Sequence, residues 1–250
     1  MIRKDNKRYK PKNDVAAIVS APLNEKLPPM QRFRSSLELS DLVVKMAVYI
    51  IGHALIDFED ALKDERLSVA SGFLQRVMST HLCNHKLTKE GIEYQFGGEV
   101  FRLHEEYKTM TLTRSVYEHL AVFYFLFIHP KTDEERDLAW KNWKTNDKEH
   151  EDDWRVSYSK AWQYLFRNRE MAQLYAHLSM HSHPVYNGLL QYQSQAVTDE
   201  GYDGIPLYLS TCFLAYLCRL FLQLLPDCAK QFEHDFTPHD RQVFVRLSQL

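Results

Sequence analysis

The stretch SDLVVKMAVYIIGHALIDFEDALK, residues 40–63, decides the fold class of this chain. Its apolar residues recur every three or four positions along the whole stretch. That spacing is typical of an amphipathic helix with one buried face. Ser40 has a side chain that suits a helix N-cap, so the helix is predicted to begin there.

The same helical spacing continues outward along the chain. The predicted helices cover residues 40–63, 67–86, 99–129, 131–150, 151–165, 168–182 and 206–225, with a short one within 238–250. The second is expected to be capped by Ser68. Glycine-containing segments at 87–98 and 190–205 are expected connections. No segment shows sustained two-residue alternation, so the sequence predicts an all-α fold, a helical bundle of about six to eight helices.

The first part of the chain differs in composition from the rest. Residues 1–35 begin with many lysines and arginines and contain four prolines, which interrupt helices. We therefore predict an N-terminal arm over 1–35 and a single helical-bundle domain over 36–250. With 250 residues, 45% of them hydrophobic, the chain is long enough to bury a core.

Charge and cysteine content bear on partners and compartment. The net charge is −2, so no overall basic field attracts nucleic acid. The four cysteines form no CxxC pair, which favours a reducing, cytoplasmic location. The basic start has no apolar segment after it, so no signal peptide is expected. The apolar stretch at 205–226 contains Arg219 and Gln223, so we predict a core helix there and no membrane partner.

Three ionisable side chains lie together in the stretch TRSVYEHL, residues 113–120. Arg114 and Glu118 are about one helical turn apart, and His119 follows. On a 3.6-residue period, all three fall on or beside stripes that are otherwise largely apolar. Charged groups at packed surfaces need partners, so two interpretations stay open: a structural Arg114–Glu118 pair, or a catalytic site.

Arg114 and His119 form an R-x4-H pattern, which resembles the signature of the HEPN superfamily of helical RNA-cutting domains. The resemblance implies a homodimer that cuts RNA without a metal, through attack of the 2′-hydroxyl on the adjacent phosphate. Arg114 would stabilise the phosphate charge, His119 would transfer protons and Glu118 would orient them. This chain has Ser115 where that superfamily favours Asn, Asp or His.

A broader resemblance covers residues 67–195. The R-S-x-x-E segment that starts at Arg114, together with the L-S-x-x-x-H-P segment at 178–184, resembles an uncharacterised family of bacterial all-helical proteins. In that family the arginine and the glutamate recur together, which implies that Glu118 is the partner of Arg114. The resemblance supports a helical fold and a bacterial origin.

Histidines four residues apart suggest a second kind of site. His81 and His85 lie on one predicted helix, and His177 and His181 lie on another. Such spacing puts two imidazoles on one helical face, as zinc or iron sites require. The alternative is a metal-binding bundle in which these four histidines converge. His81 also ends a second R-x4-H match, which begins at Arg76.

The segment LSMHSHP is the second component of any site near Arg114. Its candidates are Ser179, His181 and His183, which are expected to face Arg114 across a groove of the bundle. Ordinary helix-end chemistry before Pro184 is the competing explanation. The chain has no glycine-rich phosphate loop and no nucleotide fingerprint, so no cofactor is predicted.

The interpretation that we favour is a non-catalytic interaction or sensor module. The first alternative is a HEPN-like, metal-independent endoribonuclease in defence or a toxin–antitoxin pair, with RNA and a second copy of the chain as partners. The second alternative is the histidine metal site. The sequence leaves open whether the protein is an enzyme.

Overall fold

The fold is a bundle of α-helices with a small sheet at its side. The computed structural model describes residues 14–96, 98–145, 169–180, 196–198 and 201–249. In this part of the chain the α-helices are α1 (Val15–Ser20), α2 (Pro29–Ile56), α3 (Glu65–Glu90), α4 (Glu106–Phe127), α5 (Asp133–Thr145), α6 (Arg169–Met180), α7 (Ile205–Leu224), α8 (Pro226–Asp235) and α9 (Pro238–Leu247). The predicted all-α bundle is confirmed.

Helix α7 lies at the centre of the bundle and packs against α2, α3 and α4. It is apolar on nearly all sides, as a helix surrounded by other helices requires. Phe213, Leu214 and Phe221 have no exposed surface. Their burial removes apolar surface from water at about 25 cal/mol per Å², which is the main force that holds the bundle together.

Helix α2 begins earlier than predicted. Pro29 is its first residue, and Ser40 lies inside the helix, so the prediction that Ser40 caps it is wrong. Proline has no amide hydrogen and a fixed φ angle, and both suit the first helical position. The described part of the predicted arm, from residue 14 to 35, is mostly helical and contributes Val19 and Phe33 to the buried residues.

The α3–α4 connection also differs from the prediction. Helix α3 is capped by Asp64, not Ser68, and continues to Glu90. Strands β1 (Ile92–Phe96) and β2 (Glu99–Glu105) follow, so both the connection predicted over 87–98 and a helix beginning at 99 are wrong.

The three strands form an antiparallel sheet in the order β1-β2-β3, with β3 at Ala196–Thr198. In β1, apolar residues alternate with polar ones, and two glycines follow, which is typical of a hairpin. Five residues were too short a run to stand out from the helical pattern around them. The predicted helix at 151–165 lies outside the described residues.

Within the described ranges, two helices are long and apolar enough to cross a membrane, judged by length and composition alone. They are α2 and α7. In α7, 78% of the most apolar window is buried inside the bundle, whereas in α2 the buried share is 44%. The difference means that α7 is covered more fully by the rest of the chain than α2 is.

Candidate functional site

The predicted pair of Arg114 and Glu118 forms on α4. The Arg114 Nε donates to the Glu118 Oε1 over 2.8 Å, and the two side chains are 15% and 22% exposed. The Tyr175 hydroxyl of α6 donates to the same carboxylate oxygen over 3.2 Å. The Arg114 guanidinium lies 5.6 Å from the centre of the Tyr175 ring. The pair therefore fastens α6 to α4 within one chain.

His119 contacts a different helix. Its Nδ1 lies 2.7 Å from the Ser115 carbonyl oxygen, which can only accept, so Nδ1 carries the proton. The Arg76 Nε of α3 donates to His119 Nε2 over 3.0 Å. Phe73 of α3 meets the edge of the same ring, 6.2 Å between centroids. Arg114 and His119 thus point to different neighbours, Arg114 to α6 and His119 to α3.

Of the second-segment candidates, the described residues include only Ser179. Its Oγ is buried and has no hydrogen-bond partner in the described part of the chain. His181 and His183 lie outside the described residues, so their expected position opposite Arg114 stays a prediction.

The most extensive polar arrangement in the described core joins α2, α3 and α7. The Ser40 Oγ of α2 lies 2.9 Å from His81 Nε2 and 2.8 Å from His85 Nδ1, both on α3. The other nitrogen of His81 lies 2.7 Å from the Ser210 Oγ of α7. His85 Nε2 lies 3.5 Å from the Asp41 carboxylate. We call these five residues the histidine relay.

The relay runs from solvent into the core. The Asp41 side chain is 70% exposed and that of His85 is 14% exposed. Ser40, His81 and Ser210 have no exposed surface. A buried polar group costs stability unless it is hydrogen-bonded, and each buried member of the relay has a bond to the next.

Burial sets the protonation of the two histidines. It lowers the pKa of His81 to about 3, and the neighbouring His85 lowers it further in the same direction. Burial also lowers the pKa of His85, Asp41 opposes that shift, and Lys89 adds to it. Both rings are therefore neutral at pH 7, and His85, nearer the surface, is the one that a proton reaches first.

The two α3 histidines do share one helical face, as predicted. However, the Ser40 hydroxyl lies between them, and both nitrogens of His81 are engaged by serines. Among the described residues, no group of three or more His, Cys, Asp or Glu side chains is placed to hold a metal. His181 lies outside the described residues. The four-histidine site needs His181 and therefore stays a prediction.

The sequence pattern identified the two histidines but not their partners. Ser40 was expected at a helix end, where a serine usually faces solvent, and Ser210 is one hydroxyl within a long apolar helix. The available signal was a buried hydroxyl on each helix, but Ser36 of α2 and Thr211 of α7 are equally buried and do not belong to the relay. Bringing them together depends on the packing of α2 and α7 against α3.

Comparison with known proteins gives no match, because no family model, curated protein or solved structure is significantly similar to this chain. The resemblances drawn from short motifs therefore stay predictions.

Proposed function

We propose that this protein is a non-catalytic interaction and sensor module, in which the histidine relay responds to protonation of His85. The observation that carries the proposal is the hydrogen-bonded path from His85 to buried Ser210 across three helices, with the exposed Asp41 carboxylate 3.5 Å from the outer nitrogen of His85. The structural contacts of Arg114, Glu118 and His119 support the non-catalytic part, because each side chain already has a partner in its own chain.

Above the pKa of His85 the relay has one favoured direction. A carboxylate only accepts, so the Nε2 of His85 that faces Asp41 carries the proton. His85 Nδ1 then accepts from Ser40, Ser40 accepts from His81 Nε2, and His81 Nδ1 accepts from Ser210. Every hydrogen bond points toward the surface.

Uptake of one proton reverses that direction. Protonated His85 carries hydrogens on both nitrogens, so its Nδ1 donates to Ser40. For Ser40 to donate to His81 Nε2, His81 must carry its proton on Nδ1 instead, and water that enters during a transient opening of the core takes the Nε2 proton and supplies the Nδ1 proton. The five relay residues gain one proton in total. His81 now donates to Ser210, so a hydroxyl of the central helix changes from donor to acceptor.

The test is a pH titration of the imidazole nitrogens by ¹⁵N NMR in the folded protein. His81 is expected to change from the Nε2–H to the Nδ1–H tautomer as His85 becomes protonated, below the ordinary histidine pKa of about 6.5. Ser40→Ala should abolish the change at His81. Ser36→Ala is the matched control, because Ser36 is equally buried one turn earlier on α2 and bonds only to the Arg32 carbonyl. An unchanged His81 tautomer throughout the titration would refute the sensor function.

RNA cleavage is the second candidate function, and one observation favours it. The two R-x4-H matches meet in space, because exposed Arg76 of the first contacts His119 of the second. An exposed arginine beside a histidine is suited to bind phosphate and to transfer a proton. In this version Arg76, and not Arg114, is the arginine that acts with His119.

The assay for this candidate uses the purified protein, an RNA substrate and EDTA. If the chain is a metal-independent ribonuclease, wild type cleaves, and both His119→Ala and Arg76→Gln lose cleavage. Arg114→Gln should keep cleavage, and a loss there would assign the role to the Arg114–His119 motif instead. Unchanged helical content by circular dichroism is the control for folding. No cleavage by wild type would remove this candidate.

A further inference from the structure

One face of α2 carries an apolar pattern that its own chain covers only in part. Alternating steps of four and three residues connect a row that we call the heptad seam: Leu37, Asp41, Val44, Val48, Ile51 and Leu55. This is the spacing by which one helix packs along another in a coiled coil. Val48 is 52% exposed and Leu55 is 45% exposed, whereas Ile51 is 8% exposed and packs in the core, so the open part of the seam is formed by the other members.

The surroundings of the heptad seam leave room for another helix. Leu82 of α3 is 39% exposed and lies one turn before His85, on the side of α3 that meets the seam at Asp41. Apart from its chain neighbours and the backbone of its own helix, no atom lies within 4 Å of the position that a Cβ at Gly52, beside the seam, would occupy. Exposed apolar surface of this extent along one helix is typical of an interaction site.

We propose that the heptad seam docks one amphipathic helix of a partner protein, with apolar residues against Val44, Val48 and Leu55 and a lysine or arginine against Asp41. Charge is the argument for the basic residue. Asp41 is the single charged member of the seam, and among the described residues its ion pair is with His85, 3.5 Å away. Lys45 follows one turn later on α2 without a described ion pair to Asp41, and Lys89 of α3 acts on His85 with the opposite effect to Asp41. A neutral His85 leaves the carboxylate charge unbalanced, so a cation of the partner gains an ion pair there.

A second copy of this chain fits less well. In an antiparallel pairing that buries the whole seam, Lys45, which flanks it, faces Lys45 of the copy. In a parallel pairing, Asp41 faces Asp41. Both arrangements bring like charges together, which disfavours self-association.

A membrane surface also fits less well. Asp41 lies between the apolar positions Leu37 and Val44 and is on the same face. Burying that face in lipid would take an ionised carboxylate out of water, which is costly without a partner. At a protein–protein contact, a basic residue on the docking helix forms the ion pair that the Asp41 carboxylate needs.

The heptad seam and the histidine relay share Asp41. A bound cation at Asp41 offsets the negative charge that favours protonated His85, so docking is expected to lower the pKa of His85. By reciprocity, acidification is expected to weaken docking. This link rests on the proposed sensor function, whereas docking itself does not.

The probes are monomeric synthetic helices of three heptads with leucine, isoleucine or alanine at the inward positions and lysine at the position that faces Asp41. Binding is measured by fluorescence anisotropy at pH 7.5. We expect at least one peptide to bind, and its affinity to fall about tenfold or more with Val48→Lys or Leu55→Lys, because a charge replaces a buried contact. Val245→Lys on α9 is the matched control, since Val245 is also 45% exposed.

Replacing the peptide lysine by glutamate is expected to weaken binding to the wild type about tenfold and to have little effect on binding to Asp41→Asn.

Failure of every peptide to bind, or equal binding by Val48→Lys, would overturn docking. Self-association seen by light scattering and lost in Val48→Lys would assign the seam to a second copy instead. Flotation with anionic vesicles, lost in the same variant, would assign it to a membrane. If no peptide binds but His81 still changes tautomer in the ¹⁵N titration, the docking proposal fails and the sensor function stands.

Discussion

His81 is neutral in the folded protein because it has no contact with solvent and its two nitrogens are held by serine hydroxyls. An unfolded chain exposes the same ring to water, where its pKa is about 6.5. Between that value and about 3, the unfolded chain therefore binds a proton that the folded chain does not. Stability from this residue is complete above pH 6.5 and is lost as the pH falls.

The free energy of unfolding should therefore drop by about 2 kcal/mol from His81 alone between about pH 7 and about pH 5, since one group contributes at most about 1.4 kcal/mol per pH unit. Urea titrations at the two pH values measure it. His81→Gln is expected to be less stable at pH 7 and to show a flatter pH dependence. His234→Gln, whose side chain is 89% exposed, is the control and should keep the wild-type slope. An equal slope in His81→Gln would contradict the assignment.

For individual residues, the sequence identified the important side chains better than it identified their partners. Arg114 and Glu118 were placed correctly as a pair, because their spacing alone brings them together on a helix. His119 next to them was expected to act with Arg114, yet its ring meets Arg76 of another helix. Which neighbouring helix a side chain meets depends on packing angles, and spacing within one helix does not contain that information.

Among the elements, two glycines, Gly204 before α7 and Gly52 within α2, differ in what a substitution to alanine costs. Gly204 caps α7 with a φ of +71°, and an added Cβ would lie 3.2 Å from the side chains of Phe33 and Ser36. Gly52 lies within α2 with nothing near its missing side chain. The first needs glycine for both conformation and space, and the second does not.

Gly204→Ala is expected to lower the free energy of unfolding by about 1–3 kcal/mol, from left-handed strain and the close contacts together. Gly52→Ala should raise it by about 0.5–1 kcal/mol, because alanine is the better helix former. Chemical denaturation of both variants measures the difference. Equal effects of the two substitutions would show that the α7 cap is not constrained as described.

The Arg114–Glu118 pair makes a prediction about the contact between α4 and α6. Glu118→Gln removes the charge and keeps the shape, and we expect a loss of about 1–2 kcal/mol because Tyr175 also bonds that carboxylate. Asp227→Asn is the matched control, since the Lys230–Asp227 pair is 77% and 72% exposed and should contribute less than about 0.5 kcal/mol. The measurement is urea unfolding. Equal losses in the two variants would mean that the α4 pair is not structural.

The whole molecule is organised around α7, so its core residues should matter most. Phe221→Ala is expected to cost about 3–5 kcal/mol, because it leaves a cavity where a fully buried ring packs. Ile56→Ala, at a residue 78% exposed, should change stability by less than about 0.5 kcal/mol. Thermal unfolding followed by circular dichroism compares them. Similar melting temperatures would place α7 outside the stabilising core.

The global fold class was the most predictable level. Helical spacing is a local property repeated many times, and it predicts the extents of α2, α3 and α7 with errors mainly at their ends. The errors have local causes: proline begins α2, and a short alternating run forms β1. The relay was not predictable in the same way, because it joins residues from three helices that only the assembled bundle brings together.

The central position of α7 also has a consequence for the order of events during synthesis. The helices that pack against it, α2, α3 and α4, leave the ribosome well before residue 205 does. Until then their inner apolar faces have no common partner and remain open to water or to other chains. A nascent chain of this protein is therefore expected to need shielding by a chaperone until residues 205–224 have emerged, and to complete its core only then.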